Sequence, residues 1–338
     1  MGEAENIKTI QTELGNEVKK FEATIKKEPC AVHVAAKKKV DNWNDIELYI
    51  DALYQGYLDA CRTIHWKTDE SVDLLKQKKD WDKKASHKNS EKKDNPGREP
   101  LKKTAKEIMN YLESSKPDAI FEHKKWCNEL RDEYENYVKG GITYGQAQKI
   151  INMAFKYLYC IYDVNGRLKN KKEKFNGCHM PLDSFSLEWF KKCFKNKSFS
   201  EAKTYLGKDE KFTLPEYLFV NGKNLKADSI SSWSSMQSVK SVKENDSYQG
   251  KKYPYEFYQN VIKKYCEDDL QDSVSPLQLD FIVWAKMQKI MAAEDFIKAF
   301  DGERNFECDD YKNVLRLTNI LNERIGEVKR ISQEVTEE

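Results

Sequence analysis

The 338-residue chain contains no run of about 18 or more apolar residues, so no membrane-spanning helix is expected of it. It has no Cys-x-x-Cys pair either. Its eight cysteines, at 30, 61, 127, 160, 178, 193, 266 and 308, lie scattered. Zinc sites need closely spaced ligand pairs, and scattered cysteines in a long chain are usually reduced core residues. His123 and Cys127, four apart, come nearest to a ligand pair, and neither a metal nor a cofactor is expected. A charge excess is also missing: 58 Lys and Arg against 56 Asp and Glu leave +2, which does not advertise a polyanionic partner. The first residues, through Lys8, include Glu3 and Glu5, which is wrong for a secretory signal. No internal repeat and no recurring strand pattern is visible. With 34% charged and 12% aromatic residues, a soluble, cytoplasmic, monomeric all-α protein is expected.

Helical periodicity runs through most of the chain. Ile10, Leu14, Val18, Phe21 and Ile25 form an apolar stripe that predicts a helix over 7–26. A second helix is expected over 44–65, capped by Asn42 or Asn44. Residues 67–100 are rich in Lys, Asp and Ser and end in Asn-Pro-Gly, which reads as a charged linker or insertion. Helices follow over 101–115 and 117–138, with Pro117 in a first turn and Gly140 and Gly141 as terminators. Residues 144–162 are apolar on most sides, hence a buried helix. A basic loop carrying Arg167, Lys169, Lys171, Lys172 and Lys174 then leads to Pro181. Later helices are expected over 183–194, 254–268, 275–293 and 311–335. The division is N-terminal helices at 1–66, the linker at 67–100, and a helical core at 101–338 with a hairpin at 140–162. The N-terminal helices are expected to pack with the C-terminal part.

Four side chains carry the chemistry. Lys149 lies near the start of the buried helix, where the positive end of the helix dipole opposes a cation. That place suits an amine nucleophile, although an exposed lysine at a helix start is the commoner explanation of any one such residue. Asp183 follows Pro181 at a loop-to-helix junction. It is either an N-cap or a carboxylate that stabilises positive charge as a glycosidic bond breaks. Asp280 and Trp284, four apart, share a helix face. Together they offer a hydrogen-bond acceptor and a stacking surface for an extruded base; the plain alternative is an exposed acid beside a core tryptophan. Lys169, Lys171 and Lys172 would track phosphates, or be a solvated loop.

Three motifs in order resemble the helix-hairpin-helix DNA glycosylase superfamily. Tyr144-Gly145-Gln146-Ala147-Gln148-Lys149 is similar to its Pro-Gly-x-Gly-x-Lys hairpin, and Met180-Pro181-Leu182-Asp183 to its Val-Pro-x-Asp element. Lys156, seven residues after Lys149, and the segment Pro276 to Trp284 resemble the archaeal 8-oxoguanine glycosylases. The likeness covers about Thr143 to Phe190 and Ser275 to Trp284. It implies a two-lobed all-α fold with a DNA-facing cleft. Lys149 would be the Schiff-base nucleophile, Asp183 the catalytic carboxylate, and Asp280 and Trp284 the base pocket. Gly145 and Gln146, with the basic run, would hold DNA. Ala147 stands where the common hairpin has its second glycine, so a phosphate grip by hairpin amides is weakened. The base itself is not carried over. A glycosylase/abasic lyase acting on a modified base, in repair or in defence against phage, is therefore expected. A helical nucleic-acid-binding protein without catalysis is the alternative. An RNase using Arg-x(4–6)-His is poorly supported, because Arg62 and His65 are too close.

Overall fold

The computed structural model describes residues 3–27, 30–65, 96–115, 119–194, 219–220, 224–238 and 252–304, and within them the chain is all-α. It divides into two compact units, Met1–Ala285 and Lys286–Glu338. Helices α1 (Glu3–Lys27), α2 (His33–Lys37) and α3 (Ile46–Ala60) open the chain. Then come α4 (Lys102–Glu113), α5 (His123–Glu135), α6 (Tyr144–Val164), α7 (Leu168–Asn176) and α8 (Ser184–Phe194). Helices α9 (Tyr255–Asp268) and α10 (Pro276–Arg304) complete the described part. The one β pairing among the described residues joins Phe219–Val220 to Asn224–Leu225 antiparallel.

Helix α6 is the axis of the first unit, because residues on every side of it are buried. A helix with no polar face must be covered all round. Helix α3 lies against it antiparallel, as three cross-contacts show. The Tyr49 and Tyr162 hydroxyls meet at 2.9 Å, Gly56 abuts Ile150, and the Gln146 amide donates to the Thr63 carbonyl at 2.6 Å. The approach at Gly56 is so close that a Cβ there would sit 2.3 Å from the Ile150 carbonyl oxygen. Helices α1, α2 and α5 also contact α6, so N-terminal and central segments share one core.

Several expectations need correction. Asp45, not an asparagine, caps α3, its carboxylate accepting from the Glu47 amide at 3.1 Å. Residues 119–122 are not helical, so α5 starts at His123 rather than in the turn after Pro117. The basic stretch read as a loop is helix α7 for most of its length. Lysine-rich segments lack the apolar stripe that betrays a helix; α7 is held instead by burying Phe175. The charged linker, read as running to 100, ends sooner: Pro96–Leu101 forms a 3-10 segment fastened to α3. There Arg98, 3% exposed, donates to Asp51 at 2.6 Å and Glu47 at 2.9 Å. Residues 67–95, with the helix expected over 311–335, lie outside the described residues, as does Cys308. The other seven cysteines are free thiols, four of them buried.

Candidate functional site

The start of α6 is built by a capping box. Thr143 Oγ1 accepts from the Gln146 amide at 3.1 Å, and Gln146 Oε1 accepts from the Thr143 amide at 2.9 Å. Gly145, the next residue but one, faces the short 3-10 turn at Trp233–Ser235. Its amide donates to the Met236 carbonyl at 3.0 Å, and a Cβ would lie 1.8 Å from the Trp233 carbonyl oxygen. Only glycine fits that approach. The amides that the resemblance assigns to phosphate are therefore engaged inside the protein. Gly145 and Gln146 are both buried, and Ala147 N donates to Thr143 O.

One turn further, Lys149 and Asp183 meet. The ammonium Nζ lies 3.6 Å from Asp183 Oδ2, with side chains 11% and 10% exposed. It also sits over the Trp233 ring, 4.5 Å from its centroid, a cation–π arrangement. Asp183 serves twice. Its Oδ1 caps α8 by accepting from the amides of Phe185 at 2.9 Å and Ser186 at 3.1 Å, while Oδ2 points to the amine. The cap thus fixes the carboxylate that faces Lys149.

Two glutamines hold the segment that delivers Asp183. Gln148 pairs with both backbone groups of Leu182, donating to its carbonyl at 2.9 Å and accepting from its amide at 3.2 Å. Gln259 does the same for Met180, at 2.8 and 3.1 Å. Each side chain replaces the strand partner an extended segment would otherwise need. Behind them Asn152, His179 and His123 converge on the Tyr255 hydroxyl at 2.9, 2.9 and 3.4 Å. Burial pushes His123 well below the ordinary imidazole range and His179 down to about 3. Both are therefore neutral polar pieces of the scaffold. His123 also lies 3.6 Å from Cys127, but no group of three metal-ligating side chains exists among the described residues.

Two turns beyond Lys149 is a second pair. Lys156 Nζ donates to Asp280 Oδ2 at 2.6 Å, and the side chains are 1% and 4% exposed. Rings of Phe281, Phe21 and Trp284 surround this ammonium at 4.7, 4.8 and 5.4 Å. Asp280 is raised above the usual carboxylate range, because the cost of burial and the nearby Asp183 outweigh the lysines. Trp284 is half-buried and stands edge-on to Phe21 and Phe185, with ring centroids 6.4 and 6.1 Å apart. Asp59 of α3 completes the cluster. It accepts from the Tyr157 hydroxyl at 2.9 Å and is raised by burial, against the opposing pull of that hydroxyl and of both lysines.

The three basic residues singled out from the sequence separate. Lys169 and Lys172 are exposed on α7. Lys171 turns inward, donating to the Leu112 carbonyl and lying 3.9 Å from Glu113. Burial draws its ammonium below the ordinary lysine range.

Comparisons with protein-family models, with curated proteins and with solved structures found no match. The fold brings Lys149 to Asp183 and sets Lys156 against both Asp280 and Trp284, with Asp280 within electrostatic reach of Asp183 and Lys149. Sequence reading missed Asp59, Trp233, Phe21 and the glutamine clamps. Nothing local signals them, since each meets the site across at least 30 residues of chain. Only an antiparallel pairing of α3 with α6 puts Asp59 near level with Lys149.

Proposed function

We propose that this chain is a DNA glycosylase with abasic-site lyase activity, of the two-lobed helix-hairpin-helix type, that excises an oxidised or otherwise modified base. The single observation that carries the reading is the convergence of the Lys149 amine and the Asp183 carboxylate at 3.6 Å, with side chains 11% and 10% exposed. An amine facing a carboxylate whose other oxygen is fixed by two backbone amides suits Schiff-base formation at an anomeric carbon.

In this scheme the Lys149 ammonium first gives up a proton to Asp183 Oδ2, and the freed amine bonds to C1′ of the extruded nucleotide. The glycosidic bond breaks, its electron pair leaves with the base, and the base takes up a proton. Asp183 Oδ2 accepts protons released by the amine and offsets the positive charge that develops at C1′. Opening of the C1′–O4′ bond, with O4′ taking a proton, yields an iminium ion. Loss of a C2′ proton then expels the 3′ phosphate. Trp284 would supply a face for the base, and the remaining oxygen of Asp280 an acceptor, its other oxygen being held by Lys156.

Reductive trapping tests this. Duplexes carrying modified bases or abasic sites are incubated with the protein and borohydride, then separated under denaturing conditions. A covalent adduct with the wild type and none with Lys149→Gln is the expected result. No adduct on any substrate, or equal trapping by the variant, would reject the Schiff-base mechanism and leave a binding protein as the remaining reading.

A further inference from the structure

An open cleft of about 610 Å³ lies at the far end of α6, lined by Lys26, Lys37, Lys38, Lys39 and the α6 cap residue Asn165. Among the described residues none of these four lysines has an ion-pair partner. Two acids stand near the cleft, Glu22 one turn before Lys26 on α1 and Asp163 beside the lining residue Val164. Burial and then Asp163 push the Glu22 carboxyl up to about 7, against the pull of Lys26 and Lys19, so the lysines still outnumber the acids. Four like charges around one concavity repel each other, and a polyanion relieves that repulsion. The C-terminal end of α6 is itself the negative end of a helix dipole, yet its partial charge of roughly half a unit is far short of four.

We propose that this cleft, extended by Lys169 and Lys172 of α7, is the surface that holds the phosphate backbone of duplex DNA flanking the reacting nucleotide. The proposal rests on the DNA reading above. It follows from a gap in that reading, because the amides of the hairpin-like turn are closed by Met236 and Thr143 and cannot grip phosphate. Position favours it as well. Asn165 lies sixteen residues beyond Lys149 on the same helix, roughly 24 Å along its axis at 1.5 Å per residue. At 3.4 Å per step that is about seven base pairs, within reach of one flank of a bound duplex. Helix α1 joins the two places, since Phe21 covers Lys156 and Lys26 lines the cleft. The basic turn after α6 follows the lining residue Asn165 directly in the chain: Arg167 is committed to Glu113 and to the Trp43 ring, whereas Lys169 and Lys172 are exposed.

The test is salt-dependent binding of the full chain to fluorescent duplexes, compared with a Lys37→Gln, Lys38→Gln, Lys39→Gln variant. These lysines are exposed, so the fold should survive, which circular dichroism checks. For a duplex with about fifteen base pairs on each flank, the variant should bind at least about tenfold more weakly. Its log–log salt slope should be shallower by about 2 to 3, one lost counterion contact per lysine. A duplex with about four base pairs on each flank, too short to reach the cleft at 3.4 Å per step, should bind both proteins alike. Equal affinity and slope on the long duplex would overturn the proposal. So would displacement of the long duplex by millimolar inorganic phosphate, which would mark a small-anion site. Loss of long-duplex binding with no adduct on any substrate would uphold the cleft while rejecting the catalytic reading.

Discussion

Asp183 stands between Lys149 and the start of α8, giving one carboxylate oxygen to the amine at 3.6 Å and the other to two backbone amides. Structural and chemical roles therefore separate by substitution. Asparagine caps a helix about as well as aspartate, so Asp183→Asn should keep stability within about 0.5 kcal/mol. It removes the charge facing Lys149 and should slow adduct formation about a hundredfold or more. Asp183→Ala should lose the cap too, at about 1 kcal/mol. Urea denaturation and trapping kinetics on the same three proteins check both halves, and an unchanged trapping rate in Asp183→Asn would remove this carboxylate from the chemistry.

The Lys156–Asp280 pair is nearly inaccessible, and breaking one side leaves a buried charge. Lys156→Met should destabilise the protein by about 3 kcal/mol or more. The double replacement Lys156→Met, Asp280→Leu should recover most of that loss, because no uncompensated carboxylate remains. Both variants should weaken discrimination of the modified base, read as the ratio of trapping rates on modified and ordinary duplexes. A single variant as stable as the wild type would mean that the pair is solvated in solution.

Acid should act through the buried histidines. The folded-state values of His123 and His179 are lowered, His179 to about 3, whereas an unfolded histidine titrates near 6.5. Above about pH 6.5 both states are neutral and these groups leave stability unchanged. As pH falls from there toward 3, only the unfolded chain gains the protons, and stability drops by about 1.4 kcal/mol per pH unit for each histidine. The raised carboxyls Asp59 and Asp280 act oppositely, since protonation favours the fold. The histidine contribution is isolated by comparison with His179→Gln. The stability difference between wild type and variant should shift against the wild type by that slope between pH 6 and pH 4. A pH-independent difference would show that His179 titrates normally.

Two glycines mark backbone approaches that a methyl group cannot enter. Gly56→Ala should push α3 off α6 and cost about 1–3 kcal/mol, as overpacking does. Gly145→Ala meets the Trp233 carbonyl and should displace the turn that holds the indole over Lys149. Its expected signature is a fall in trapping rate larger than that of Trp233→Leu, which removes the ring but leaves the turn in place. Equal stability of Gly56→Ala and wild type would show that the helices part without cost.

The all-α class and most helix positions were legible in the sequence, because helices announce themselves through near-neighbour chemistry. The buried α6, its start after Thr143 and the Asp183 junction all reflect residues three or four apart, whereas the helix expected to run to Gly140 and Gly141 stops earlier, at Glu135 with Asn136 as its cap. Lys149, Asp183, Asp280 and Trp284 were visible for the same reason, as residues in short motifs. What only the tertiary structure decided is which charge faces which. Lys156 rather than solvent takes Asp280, the Trp233 ring covers Lys149, and Asp59 joins from α3. It also closed the hairpin amides and gathered Lys26 with Lys37, Lys38 and Lys39 around one cleft in a chain whose net charge is only +2. The physical reason is common to all of these. Local hydrogen bonds and periodic burial act between near neighbours in the chain, whereas Coulomb pairing and close backbone approach depend on distance in space.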